Sequence, residues 1–440
     1  MGAELVFCVR LLDKTFGAQG YSNIALDQAL RDSDLNPQQK SRVSALYYGV
    51  IERLPELDYV LSRYSKKPPE KLDSTVRNLL RCGVYQLAHM RIPDNAAVNE
   101  CVNACKKLRY TSASGFVNAV LRGFVRDGKQ IPAPKDPALR RQVQYCAPDW
   151  LIKQLSSEYG ESVMDALLTD ALGRPPVILR RNPLAGDASA FLRAMGEISV
   201  EKHSLLPDCY RVQGGDVTRT DAFAQGMFHV QDLASQLCCL ALDPQPGDTV
   251  LDLCAAPGGK SFTLAELMED RGQLYAFDLH TNRVKLIAQG AQRLHLQCVH
   301  ARTGDASLHN PELPQADRVL CDVPCSGLGV IRRKPEIKYK DPAAFAGLPP
   351  VQAKILENAA HYVKPGGYLV YSTCTLSRAE NDGVVDGFLQ QHPEFEGVSF
   401  LETLGEPFGN WKVTLHPGCF GSDGFFMAKL KRASPTVKCQ

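Results

Sequence analysis

Two cysteines stand where a strand should give way to a loop. Cys325 lies in CDVPCSG (residues 321–327) and Cys374 in YSTCTLS (residues 371–377), each behind an apolar run. Such thiols can form a redox pair, ligate a metal, fill a core or, as thiolates, attack an electrophilic carbon. Metal ligation fits poorly. Cys321 and Cys325 have no histidine close behind, and Cys101 and Cys105 lack a second Cys/His pair at zinc-site spacing. Cys8, Cys82, Cys238, Cys239 and Cys298 read as small buried hydrophobes.

A second constellation precedes these thiols. In VLDLCAAPGGKS a strand runs into Cys254, Ala255, Ala256, Pro257, Gly258, Gly259 and Lys260, after which a helix begins. Small residues let a ligand approach the backbone, and a helix N-terminus offers free N–H groups. The spacing fits neither G-x-G-x-x-G nor G-x-x-x-x-G-K-[ST], which excludes the usual dinucleotide turn and P-loop. Asp278 ends the next strand, where a carboxylate can accept from two ribose hydroxyls. Asp305 follows the third strand, placed for an adenine amino group, and Asp322 ends the fourth. Three acids at successive strand ends point to a nucleoside site.

The elements that must position these residues fall into zones. Residues 1–127 carry apolar positions at i, i+3, i+4 spacing throughout, as in SRVSALYYGVIERL and LDSTVRNLLRCGVYQLAHM, which predicts a bundle of roughly five to seven helices. The stretch DGKQIPAPKDPALRR breaks that pattern and reads as a linker over 128–140. Residues 141–220 mix helical runs with the strands PPVILRRN and CYRVQ, a small α/β subdomain. From 221 to 433, apolar runs (DTVLDLC, QLYAFDL, QCVHART, DRVLCDV, GGYLVYST, GFFMAKL) alternate with helical stretches. That alternation predicts an α/β fold with a mostly parallel sheet covered on both faces.

Bulk properties narrow the class. A 440-residue chain with 44% hydrophobic and 22% charged residues is globular and long enough for two or three domains. A formal net charge of +2 argues against whole-surface polyanion binding, leaving room for a local basic groove. No apolar run predicts a membrane span, and the N-terminus lacks a signal-peptide layout. Free thiols in a cytoplasmic setting are expected. GVIRRKPEIKYK, with Arg332, Arg333, Lys334 and Lys338, is a candidate phosphate-contacting run; Arg77, Arg81, Lys106, Lys107 and Arg109 form a weaker one.

In order along the chain, LDLCAAPGGKS, AFD, GDA, DVPCSGLGVIRRKPEIKY, YSTCTLSRAEND and GSDGFFMAKL resemble the motifs of the Sun/Fmu (RsmB) family of 16S rRNA cytosine-C5 methyltransferases. MFHVQDLASQL resembles that family's entry into its catalytic domain. The helical first part, with LLRCGVYQLAHMRIPDNAAVNECVNACKK, resembles a NusB-like RNA-binding domain. Val323, where the family usually has Ala, and LSRAEND, which only partly matches its Pro-Glu-Glu-Asn run, depart from the pattern without removing a chemical group.

The resemblance implies a Rossmann-like class I methyltransferase domain behind the helical domain and the α/β insert, with the insert positioning RNA. It implies S-adenosylmethionine held by the Cys254–Lys260 turn, with Asp278 on the ribose, Arg283 nearby, Asp305 on the adenine, and Asp322 facing both the methionine end and the target base. C5 of cytosine is a poor nucleophile until a thiolate adds at C6, and chemistry alone does not rank the two cysteines. By resemblance, Cys374 attacks and Cys325 assists release, while Cys321 packs. A monomer acting on 16S rRNA or a small-subunit assembly intermediate, without metal or membrane, is expected. The alternatives are the same chemistry on tRNA or another rRNA site, and a non-catalytic RNA-binding or antitermination factor.

Overall fold

A computed structural model describes residues 2–18, 22–417 and 419–434. The chain forms two compact units: residues 1–173 with 331–341, and residues 174–330 with 342–440. The expected 141–220 segment therefore straddles a division. Its helices Asp149–Tyr159 and Glu161–Asp170 belong to the first unit and its strands to the second.

Between Ala3 and Arg126 the first unit holds seven α-helices among its described residues. Their starts follow from local chemistry. Asn36 and Gln39 form a reciprocal capping box around Pro37 at the first helical position, and the Asp73 carboxylate accepts from the Thr75 amide. Their apolar faces, including Tyr47, Leu57, Leu80, Cys82, Leu121 and Phe124, close one core.

The segment 331–341 departs from its expected role. Lys338 is fully buried, and its ammonium donates to the Glu52 carbonyl at 2.9 Å and the Cys146 carbonyl at 2.8 Å. Those carbonyls end the helices Pro37–Glu52 and Pro137–Tyr145, where backbone acceptors have no partner within the helix. Lys338 thus satisfies two helix ends and is withdrawn from phosphate. Arg332 pairs with Asp170 at 3.0 Å with its side chain buried, and Arg333 and Lys334 are half-buried. Arg81, in the other candidate patch, is spent on Asp58 through two bonds of 2.8 and 2.6 Å. A charge run in sequence carries no record of which ammonium groups a helix end will claim.

The second unit contains two sheets. In the smaller, β1 (Val177–Arg181), β2 (Val200–Lys202), β3 (Cys209–Val212) and β4 (Phe228–Val230) run antiparallel in the order β2-β3-β1-β4. In the larger, the order is β7-β6-β5-β8-β9-β12-β10, with β11 (Lys412–Leu415) paired to β12. Here β5 is Thr249–Asp252, β6 Gln273–Asp278, β7 Val299–Thr303, β8 Ala316–Asp322, β9 Val363–Thr373, β10 Phe395–Gly397 and β12 Phe425–Arg432. Strands β5 to β9 pair in parallel, and β12 runs antiparallel to β9. Helices Leu233–Leu242, Gly259–Leu267 and Thr281–Arg293 pack over one core, Leu348–Tyr362 and Asp382–Gln391 over the other. This is the doubly wound architecture expected for 221–433. The short strands β2, β4, β10 and β11 carry too few residues to show a period.

A buried ion pair joins the smaller sheet to the helix Gly259–Leu267 that covers the larger one, Arg180 Nε to Glu266 Oε2 at 3.0 Å, with both side chains almost fully out of solvent. Asn182 adds bonds to the Gly226 and Leu294 carbonyls. Removing one partner strands a charge in the interior. Arg180→Leu should therefore lower stability by about 3–5 kcal/mol in urea unfolding, and Arg180→Leu with Glu266→Leu should recover much of that loss. An unchanged midpoint in the single variant would show that the pair is not needed.

Candidate active site

The site lies at the carboxyl ends of β5, β6, β7, β8 and β9, where parallel strands leave a crevice. After β5 the chain turns through Cys254–Gly258 into the helix Gly259–Leu267. The Ala255 amide donates to the Phe277 carbonyl at 2.7 Å and the Gly258 amide to the Ala255 carbonyl at 2.8 Å. Gly258 has φ +114°, and a Cβ there would lie 2.4 Å from the Phe262 ring. Only glycine satisfies both constraints.

Asp278 is buried at the end of β6. Its Oδ1 accepts from the His280 amide at 3.0 Å, and its Oδ2 pairs with Arg283 at 3.0 Å. Arg283 also donates to the Ala256 carbonyl at 2.8 Å, tying the acid to the turn. Each carboxylate oxygen keeps a lone pair that could take a ribose hydroxyl. Beyond β7, Asp305 accepts from the Ser307 hydroxyl and amide, which hold its carboxyl below the ordinary range. It borders a cavity of about 160 Å³ lined also by Phe277, Gly304, Leu308, Asn358 and Tyr362. The Asn358 Nδ2 is spent on the Ala306 and Leu308 carbonyls, while its Oδ1 is buried and has no protein partner. An orphaned acceptor and a carboxylate beside an apolar slot suit a flat heterocycle bearing an amino group, so these residues fit an adenosyl group.

Asp322 connects the cofactor side to the thiols. Its Oδ2 accepts from Lys260 at 2.7 Å and its Oδ1 from the Ser372 hydroxyl at 2.8 Å. Burial works against the Lys260 ammonium, but the Asp322 charge and hydrogen bond prevail and hold it above the ordinary lysine range. Lys260, expected as part of the cofactor turn, thus aims its charge at Asp322. Beneath it, Asp252 is wholly buried; burial raises its carboxyl to about 7, against the bond from Ser261.

The two cysteines meet. Cys325 Sγ and Cys374 Sγ lie 3.4 Å apart, neither in a disulfide and both half-buried. The hydrogen bond with Cys374, burial, and the charges of Glu380 and Asp322 keep Cys325 well above the ordinary thiol range. A neutral Cys325 can donate its S–H to a thiolate at Cys374. Cys321 is buried core, as expected.

Sequence reasoning missed Ser326, Gln352, Thr375 and Glu380, which surround the thiols. Gln352 left a signal. It falls on the helical face of Ile355, Leu356 and Ala359, where a polar residue needs a reason.

Fold and crevice define the class, an S-adenosylmethionine-dependent methyltransferase. Residues 239–431 match the family described as 16S rRNA methyltransferase RsmB/F, residues 6–126 the NusB family, and residues 147–218 the RsmF/B-like ferredoxin-like domain. The probable ribosomal RNA small subunit methyltransferase B of Bacillus subtilis is 40% identical over 426 residues, covering 94% of this chain and 95% of its own. The ribosomal RNA small subunit methyltransferase B of Serratia proteamaculans is 33% identical over 417 residues, 92% of each. The crystal structure of PH0851 matches 98% of this chain and 99% of its own, with TM-score 0.82 and 26% identity. The chain belongs to the RsmB/F family of 16S rRNA methyltransferases.

Two measurements probe the crevice. Gly258→Ala should weaken S-adenosylmethionine binding by about tenfold or more in calorimetry, since the turn must rearrange; equal affinity would remove the turn from the cofactor site. Asp252, with its folded-state pKa raised to about 7, holds a proton that the unfolded chain gives up near pH 4. Its contribution is full below that pH and lost as pH rises through 7. Between pH 5.5 and 8.5 the wild type should lose on the order of 2 kcal/mol relative to Asp252→Asn in urea unfolding. A pH-independent gap would contradict the buried neutral acid.

Proposed function

We propose that the protein converts a cytosine of 16S rRNA to 5-methylcytosine through a covalent bond between Cys374 and C6 of the base. The observation that carries this reading is the pair of thiols 3.4 Å apart beside an acid ion-paired to a lysine. S-adenosylmethionine, when bound by the Cys254–Lys260 turn with Asp278, Arg283 and Asp305, supplies an electrophilic methyl group.

The Cys374 thiolate, accepting the Cys325 S–H, adds to C6, and the C5=C6 electrons make C5 nucleophilic. Asp322 accepts from the amino edge of the base. The Lys260 ammonium beside it offsets the negative charge that builds on the ring as sulfur adds. Once C5 carries the methyl group, a base takes the C5 proton, the double bond re-forms and the S–C6 bond breaks. The departing Cys374 sulfur regains the Cys325 hydrogen bond, which gives Cys325 its role in release. Reaching C6 requires an unstacked base, so a single-stranded or flipped cytosine is the substrate. The NusB-family match and the relatives named for the small ribosomal subunit support rRNA over tRNA.

RNA carrying 5-fluorocytosine, which has no C5 proton to lose, should trap the intact protein as an adduct stable to denaturation. Cys374→Ala should trap none and methylate nothing; Cys325→Ala should trap unmodified RNA as well, by releasing it slowly. Methylation by Cys374→Ala would reassign the nucleophile, and normal turnover by Cys325→Ala would reduce that residue to packing.

A further inference from the structure

Glu380 is a buried carboxylate with no place in the chemistry above. Its Oε2 accepts from the Ser326 amide at 2.9 Å and the Gln352 side-chain amide at 2.9 Å, and its Oε1 from the Ser326 hydroxyl at 2.5 Å. Gln352 Nε2 also donates to the Pro324 carbonyl at 3.0 Å. The carboxylate therefore grips the residues on both sides of Cys325, one directly and one through Gln352. The Ser326 hydroxyl lies 2.6 Å from that of Thr375, the residue after Cys374. From above, the Tyr371 hydroxyl anchors the Glu380 carbonyl at 2.6 Å. The residues that follow the two cysteines are thus bonded to each other, and one of them to the same acid.

A buried carboxylate taking three donors is an unusual expense for a loop that a few apolar residues could pack. What it achieves is orientation. Ser326 can turn only with Glu380, so Cys325 is held facing Cys374. The negative charge nearby also discourages Cys325 from ionising. We propose that Glu380 is a positioning residue for product release: it holds the Cys325 S–H on the Cys374 sulfur, and so governs departure from C6 more than attack. The inference rests on the assignment of Cys374 to attack and Cys325 to release.

Glu380→Gln keeps the shape but replaces the charge and one acceptor oxygen by a donor that faces the donors of Ser326 and Gln352. The full-length variant is incubated with 16S rRNA transcribed in vitro and S-adenosylmethionine labelled in its methyl group. First-turnover methyl transfer and steady-state turnover are measured, and RNA-bound protein is counted on denaturing gels. The expected result is a first turnover within about threefold of wild type, turnover lowered by about tenfold or more, and accumulated adduct. Gln352→Met, which removes one donor and the Pro324 tether, should move the same way to a smaller extent and serves if Glu380→Gln does not fold. Equal losses in first and later turnovers, or no change, in the variant that folds would reduce Glu380 to packing and overturn the inference. Cys374→Ala is run alongside with 5-fluorocytosine RNA. An adduct there would overturn the cysteine assignment, and this inference with it, by a distinguishable route.

Discussion

The register between β8 and β9 is the constraint on which the site depends. Asp322 lies opposite Ser372 in a parallel pair, and the Val323 amide donates to the Ser372 carbonyl at 3.1 Å. Cys325 follows the first residue by three positions and Cys374 the second by two, so both loops leave the sheet together. Because side chains alternate across a strand, a one-residue slip would turn Asp322 or Ser372 to the opposite face and part the thiols. The register is held from below by the buried alternation of Val319, Cys321, Leu369 and Tyr371 and from above by close backbone contacts. The Gly329 amide donates to the Cys374 carbonyl at 3.0 Å, and the Gly424 amide donates to the Gly329 carbonyl at 2.9 Å. A Cβ on Gly329 would lie 2.1 Å from the Gly424 carbonyl oxygen, so the strap after Cys325 can lie against Cys374 only as glycine.

Charge in the crevice is arranged around that register. Lys260 comes from the glycine turn after β5 and neutralises Asp322 at the end of β8, so the cofactor turn and the acid beside the thiols share one ion pair. Asp252, one layer deeper, is raised by burial to about 7 and so carries only part of a negative charge near neutral pH. Such a division makes Asp322, paired with Lys260 and Ser372, the acid we propose for the target base, and it favours Cys325 as a hydrogen-bond donor. One thiol can then carry the negative charge while the other carries the proton.

Much of this was legible in the sequence, for identifiable reasons. The strands DTVLDLC, QLYAFDL, DRVLCDV and GGYLVYST read as continuous apolar runs, so a mostly parallel sheet and its strand-end acids could be expected, though not the order of the strands within it. Gly258 and Gly259 betrayed the turn by composition. The meeting of Cys325 and Cys374 could not be read, since it depends on pairing register between strands separated by a helix. Lys338 was misread for a related reason: its partners, the carbonyls of Glu52 and Cys146, are backbone atoms that leave no trace in residue type. Glu380 was visible only as part of LSRAEND, where its bonds to Ser326 and Gln352 are again long-range.

We propose that Cys374 of this crevice is the nucleophile that readies C5 of a 16S rRNA cytosine for methylation. Bisulfite mapping of 16S rRNA from a deletion strain tests reaction and substrate together. At least one cytosine protected in the parent should become convertible in the deletion strain, regain protection with the wild-type gene, and stay convertible with Cys374→Ala. An identical protection pattern in parent and deletion strain, or restoration by Cys374→Ala, would contradict the account.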